Sequence, residues 1–235
     1  MTIALTLVLS AFAAEYGPLV EGIEGDEIAA GRHGQSDTGV VGCSDQYLSE
    51  GIDLPDLPLF YNRAQPSHSW GSREMVEVII DTSRHLRWLM PEADPLTIGD
   101  ISSQRGGFLS GHKSHRGGID ADIGIYMAGG KQDPRGFTTL GPGTFDLERN
   151  WMLISTLLDT GKIDMVLLDH GHIERLRAYT VRAGLLTQDE AEHVFPPEGS
   201  RASWENVGIV RHAPNHADHL HVRVLCADGS KADAR

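Results

Sequence analysis

The sequence predicts an α+β fold in which a small antiparallel sheet is flanked by helices and long loops. Residues 118–126 and 220–225 alternate apolar and polar side chains, as half-buried strands do. Residues 72–89 repeat apolar side chains at helical spacing. Strands and helices do not follow each other in a regular rhythm, and no glycine fingerprint follows the first strand. These features favour α+β over a doubly wound nucleotide-binding fold.

The remaining elements follow from shorter patterns. Pro91 ends the helix predicted over residues 72–89. Residues 51–69, which contain three prolines, predict mostly loop. The other predicted elements are, in chain order, a strand over 96–101, a helix over 151–158 with Asp146 near its start, a strand over 164–168, and a helix over 173–183 that ends at Gly184.

Length and charge limit the possible classes of protein. A chain of 235 residues with 40% hydrophobic residues is long enough for one core, so we expect one domain. Residues 15–37, rich in Gly, Asp and Glu without a period, predict a flexible lead-in. The formal net charge is -13, and no lysine-rich run offsets it. We therefore expect no nucleic-acid partner.

The N-terminus carries a candidate export signal. Residues 3–14 form an apolar run that ends in the A-x-A-like pattern Ala11-Phe12-Ala13. The run is too short to span a bilayer, so it predicts a signal peptide over residues 1–14, a periplasmic or secreted protein, and no integral membrane segment. No Lys or Arg precedes the run, which leaves a buried N-terminal helix as the alternative.

The two cysteines lie far apart in the sequence. Cys43 and Cys226 cannot form a local metal motif because so many residues separate them. In an exported protein they could pair and close a very long loop. Two unrelated buried thiols are the alternative.

The candidate catalytic and metal-binding residues lie in two histidine-containing segments, residues 111–122 and 212–223. His219 and His221 begin a predicted strand two residues apart, so both imidazoles leave one face of the sheet. Asp120 and Asp122 share a face of their own strand for the same reason.

Two imidazoles beside a carboxylate suit zinc, and three protein ligands leave a position for water. One aspartate would be a ligand and the other would orient a histidine. The alternative is a solvated polar face with incidental histidines and surface carboxylates. The isoleucines that flank the aspartates favour a cleft over that surface.

A family resemblance rests on these two segments. Gly106-Gly107 through Ser114-His115-x-x-Gly118-x-x-x-Asp122, followed by His216-x-x-His219-x-His221-Val222-Arg223, resembles the penicillin-insensitive murein endopeptidases. That family belongs to a wider group with the lysostaphin-type and D-Ala-D-Ala metallopeptidases. The resemblance implies a zinc-dependent endopeptidase domain over residues 38–230. Its substrate would be peptidoglycan, and it would hydrolyse D-Ala-containing peptide cross-links with metal-activated water.

The resemblance also implies a role for each matching residue. His115, Asp122 and His221 would bind one catalytic zinc ion. His219 would act as general base or electrostatic stabiliser, and His216 would be a further catalytic histidine near the developing oxyanion. His112 matches a position that can take part in metal binding in the murein endopeptidases.

The chain departs from the family in two respects. The murein endopeptidases carry several disulfides and a second metal cluster, but this chain has two cysteines and no histidine in residues 145–150. We therefore expect one ion, with Asp146 capping or preceding a helix. His170 and His172 are expected in a polar turn.

Two alternative functions stay open at this point. One is a D-Ala-D-Ala carboxypeptidase of the same fold, which would share the metal ligands. The other is a non-catalytic, zinc-stabilised envelope protein. The presence of His219 favours an enzyme over that second alternative.

Overall fold

A computed structural model describes residues 43–198 and 207–232, all within one compact unit, Gly42–Arg235. The predicted signal peptide (residues 1–14) and lead-in (residues 15–37) lie outside the described residues. The α+β class is confirmed. The described elements are, in order, β1 (Ile52–Asp53), β2 (Phe60–Asn62), β3 (Trp70–Gly71), α1 (Arg73–Leu89), β4 (Leu96–Ile98), β5 (Asp120–Gly124), α2 (Leu147–Asp159), β6 (Ile163–Leu168), α3 (His170–Arg182), α4 (Gln188–Val194), β7 (Val210–His212) and β8 (His219–Val224).

A six-stranded sheet with the order β2-β4-β5-β8-β6-β7 forms the centre of the molecule. The four inner strands are antiparallel, whereas each edge strand runs parallel to its neighbour. β1 and β3 form a separate two-stranded antiparallel sheet. The main sheet is therefore larger than the sequence predicts, and both histidine-containing segments contribute a strand to its middle.

β5 is buried on both faces, which corrects the prediction of a half-buried strand. All five residues from Asp120 to Gly124 are buried. Ala121 and Ile123 face the hydrophobic core, as the alternation predicts. The opposite face, which carries the aspartates, is not open to solvent because the imidazoles of His115 and His221 cover it.

Side chains cap the starts of two helices. The Ser72 hydroxyl accepts the Met75 N–H at the start of α1. The Asp146 carboxylate accepts the Arg149 N–H at the start of α2, four residues before the predicted start of that helix. The predicted cap at Asp146 is confirmed.

The predicted polar turn at His170 and His172 is wrong. Both residues lie in the first turn of α3, because the Asp169 carboxylate accepts the Gly171 N–H and starts the helix early. The sequence analysis also did not predict helix α4. Its signal was a capping box between Thr187 and Glu190.

Cys43 and Cys226 form a disulfide, with their Cα atoms 5.3 Å apart. The bond joins the first described residues to the chain just after β8. No helix among the described residues is long and apolar enough to cross a membrane.

Candidate metal centre

Three side chains meet where β5 lies beside β8. Antiparallel pairing sets Asp122 opposite His221. His115, from the loop before β5, completes the group. Its Nε2 lies 3.1 Å from Asp122 Oδ1 and 3.1 Å from His221 Nδ1, and the latter two atoms are also 3.1 Å apart. All three residues are buried: His115 is 1% exposed, Asp122 5% and His221 4%.

Hydrogen bonds outside this triangle determine which ring nitrogen faces it. His115 Nδ1 lies 3.0 Å from the Ile101 carbonyl oxygen, which can only accept, so Nδ1 carries the proton. His221 Nε2 lies 2.8 Å from Asp120 Oδ1 and donates to that carboxylate. The nitrogens facing the triangle, His115 Nε2 and His221 Nδ1, therefore present lone pairs in the neutral rings.

Two lone pairs and a carboxylate oxygen at this spacing repel one another unless positive charge lies among them. Burial opposes the charged form of His221, but its hydrogen bonds with Asp120 and Asp122 outweigh that and raise its pKa to about 9. Burial also opposes ionisation of Asp122, yet hydrogen bonds with His115 and His221 hold its pKa well below the usual range. The donor set thus attracts a cation, whether a proton or a metal ion.

The spacing fits zinc. Tetrahedral zinc with bonds of about 2.0 Å to nitrogen and oxygen separates its ligand atoms by roughly 3.3 Å. The three atoms here are each 3.1 Å from the others. Nitrogen and carboxylate oxygen are also ligand types that zinc prefers.

Asp120 orients His221 and is not itself part of the triangle. Its carboxylate is fully buried, and the guanidinium of Arg223 donates to both of its oxygens, at 2.8 and 2.9 Å. Burial works against ionisation of Asp120, but hydrogen bonds from His221 and Arg223 still lower its pKa. A carboxylate that accepts from the far nitrogen of a ligating histidine is the usual support of such a site.

His219 lies at the edge of the triangle. Its Nδ1 is 2.6 Å from Asp218 Oδ1, so the N–H points to Asp218 and Nε2 is left facing Asp122 Oδ1 at 3.6 Å. The ring stacks on Phe137, with centroids 5.0 Å apart and planes 21° apart. These contacts fix both the orientation and the tautomer of His219.

A match to a known protein family covers the part of the chain that contains His115 and Asp122. Residues 47–140 match the penicillin-insensitive murein endopeptidase family. This segment is similar to those endopeptidases. The match confirms the resemblance, and it supports a peptidase that acts on peptidoglycan. No curated protein matches the chain significantly.

The segment matched to the murein endopeptidase family contains His112, His115 and Asp122 but ends before β8. These three residues form a group that could hold a metal ion, with one ligand atom from each within 4.8 Å of the others. His112 Nδ1 is 3.7 Å from Asp122 Oδ2, whereas His221 Nδ1 is 3.1 Å from Asp122 Oδ1. His221 therefore has the tighter spacing to Asp122, and His112 borders the other carboxylate oxygen.

His216 is brought to the same side as His219, with ring centroids 4.8 Å apart. Its Nδ1 lies 2.8 Å from the Pro214 carbonyl oxygen, so that nitrogen donates. Burial lowers the pKa of His216, which favours the neutral ring. This disfavours His216 as the imidazolium that stabilises an oxyanion and leaves that role to a group with a free donor.

Three further residues support the site, although the sequence did not single them out. Asp100 lies just after β4, and its Oδ2 is 3.1 Å from His112 Nε2. Asp218 precedes His219 in the sequence. Phe137 fits beside Asp122 because Gly99 has no side chain, and a Cβ there would lie 2.7 Å from the Phe137 ring. The position of Asp218 was a usable signal, but nothing local marked Phe137.

The disulfide braces the loop that carries His115. The Gly107 N–H donates to the Gln46 carbonyl oxygen at 3.0 Å, and the Leu48 N–H donates to the Arg105 carbonyl oxygen at 3.1 Å. A Cβ at Gly117 would lie 2.0 Å from the Ser44 carbonyl oxygen, so only glycine permits this approach. The segment after Cys43 thus packs directly against the loop.

Proposed function

We propose that this protein is a zinc-dependent peptidoglycan endopeptidase that hydrolyses D-Ala-containing peptide cross-links. The family match supports the peptidase class and the cell-wall substrate. The observation that carries the metal assignment is the triangle of His115, Asp122 and His221, whose facing atoms are pairwise 3.1 Å apart. We assign the zinc ion to these three residues.

Bound zinc would polarise the scissile carbonyl and bring the pKa of a bound water to about 7. The protein's own part in proton transfer falls to His219. Its Nε2 accepts a proton from the attacking water, since its Nδ1–H is committed to Asp218 at 2.6 Å. The same nitrogen then returns the proton to the leaving amine. The Asp218 carboxylate stabilises the imidazolium that exists between these steps.

His216 is assigned a supporting role. It lies beside His219, and burial lowers its pKa, which disfavours a second positive charge near the proton-accepting nitrogen. Its ring also lies 5.9 Å from that of His221, so we propose that it acts through these two neighbours and transfers no proton itself.

The compartment and domain are part of the proposal. Disulfides persist in oxidising compartments, so the Cys43–Cys226 bond supports a periplasmic or secreted enzyme. A signal peptide over residues 1–14 and a catalytic domain over residues 38–230 are consistent with that location.

The test uses purified protein that has been stripped by a chelator and reloaded with zinc. Mass spectrometry of digested muropeptide dimers should reveal monomers only after reloading. His219→Ala should lose turnover while zinc binding, measured calorimetrically, is retained. His193→Ala, which changes an exposed histidine on α4, is the matched control and should cleave normally.

The other outcomes separate the alternatives. Release of single D-Ala residues from monomeric stem peptides, with dimers left intact, would establish a carboxypeptidase instead. Tight zinc binding without hydrolysis of either substrate would establish a non-catalytic zinc protein. Unchanged turnover in His219→Ala would refute the role given to that histidine.

A further inference from the structure

An exposed arginine lies close to the proposed catalytic histidine. Arg63 follows β2, and its backbone N–H donates to the Ile98 carbonyl oxygen at 2.9 Å. Its guanidinium carbon is 4.5 Å from the centre of the Phe137 ring. Within residues 43–198 and 207–232, no carboxylate comes within 4.0 Å of this guanidinium. Its charge is thus available to a ligand.

Phe137 connects this arginine to the site. Phe137 stacks on His219 with ring centres 5.0 Å apart, and the guanidinium carbon of Arg63 is 4.5 Å from the Phe137 ring centre. The guanidinium and the imidazole of His219 therefore both contact the same aromatic ring. A Cβ at Gly99 would lie 2.7 Å from Phe137 and 3.3 Å from Asp122, which means that the aromatic ring is packed tightly against β4 and β5. The arginine thus lies over a ring that is packed against the strands of the site.

The site is surrounded by negative charge, which Arg63 can offset for a negatively charged substrate. The chain has a net charge of -13, and Asp100, Asp122 and Asp218 all lie around the histidines. A substrate carboxylate that lies beside Asp100 or Asp218, away from the proposed zinc ligands, would be repelled. A guanidinium stacked on an aromatic ring keeps its N–H edge free and binds carboxylates in a bidentate manner.

We propose that Arg63 is a specificity residue that binds a carboxylate of the peptide substrate beside the scissile bond. This rests on the proposed peptidase function and adds the chemical class of a recognised substrate group. Arg63 takes no part in bond cleavage, so it contributes to binding of substrate and transition state alike.

The experiment pairs variants of the zinc-loaded enzyme with a small set of synthetic cross-linked peptides. Each peptide has one carboxylate replaced by its amide, and the parent has all carboxylates free. Arg63→Gln should raise KM for the parent about tenfold or more with kcat little changed, as expected for loss of a charge-assisted pair. Against one amidated peptide the same variant should match the wild type.

Two further variants sharpen the result. Arg63→Lys keeps the charge but loses the bidentate geometry, so its KM should fall between those of wild type and Arg63→Gln. Arg84→Gln changes an exposed arginine on α1 that is already paired with Asp81, and it should leave both constants unchanged.

Calorimetric titration of the same peptides into wild type and Arg63→Gln separates this proposal from the proposed function. Wild-type protein that binds the peptides but cleaves none would refute the peptidase function, while the difference in affinity still decides the role of Arg63. The role of Arg63 is overturned by equal losses on free and amidated peptides, by a loss in kcat alone, or by equal affinity of the two proteins for every peptide.

Discussion

Replacing Asp120 by Asn should weaken both the fold and the metal site. Asp120 is fully buried, and its carboxylate binds His221 on one side and Arg223 on the other. Asparagine has nearly the same size, so the change removes the charge and leaves the packing in place. Arg223, whose side chain is only 16% exposed, then loses the carboxylate to which it donates two hydrogen bonds.

The size of the effect follows from these contacts. Removal of one member of a buried ion pair costs about 3–5 kcal/mol. The partial exposure of Arg223 indicates the lower end, roughly 3 kcal/mol of unfolding free energy. Loss of the group that orients a ligating histidine weakens metal binding by about 10- to 100-fold. We expect both losses in Asp120→Asn.

Chemical denaturation of the metal-free protein measures the first loss, and competition with a zinc-binding dye measures the second. Asp228→Asn, which alters a carboxylate in an exposed turn, is the control and should change neither. Adding Arg223→Met to Asp120→Asn should restore most of the stability but not the zinc affinity, since only the unpaired charge is removed. Wild-type zinc affinity in Asp120→Asn would refute the argument that Asp120 orients His221.

Three other changes test separate parts of the molecule. Asp218→Ala should lower kcat at least about tenfold with zinc binding unchanged, and Asp218→Asn, which keeps an acceptor for His219 Nδ1, should recover part of it. Paired Cys43→Ser and Cys226→Ser changes should cost about 2–5 kcal/mol in denaturation and weaken zinc binding, because the braced segment packs on the His115 loop. Burial lowers the pKa of His172 below 6.5, so protonating this residue is harder in the folded protein than in the unfolded one. Its contribution to stability is therefore complete above pH 6.5 and is lost as the pH falls towards the folded-state pKa. His172→Gln should therefore show a smaller loss of stability between pH 7 and pH 5 than the wild type, and an equal loss would contradict this assignment.

Short-range patterns predicted the elements that short-range forces stabilise. The periodicity of α1 and the cap at Asp146 depend on neighbours close in the sequence, and the structure has both. The strand β8 was predicted for a similar reason, since alternation puts Leu220 and Val222 in the core and His221 on the other face.

Elements with weak local signals were missed. β2 and β7 are three residues long and join the edges of the sheet in parallel, which requires partners far away in the chain. The start of α3 was predicted too late because Asp169 supplies a cap where a turn was expected.

For the site, the sequence by itself determined which residue types share a face. Asp120 lies on the same face as Asp122, and His219 on the same face as His221, because residues two apart in a strand point to one side of the sheet.

Tertiary structure then gave different roles to the members of each pair. Asp122 pairs with His221 across the strands, while Arg223 reaches Asp120 and holds it behind the histidine. Phe137 and Asp218 hold His219 outside the triangle. Strand register and side-chain packing thus separate the proposed metal ligands from the residues that support them. Both depend on contacts across roughly 100 residues of chain, which no local pattern encodes.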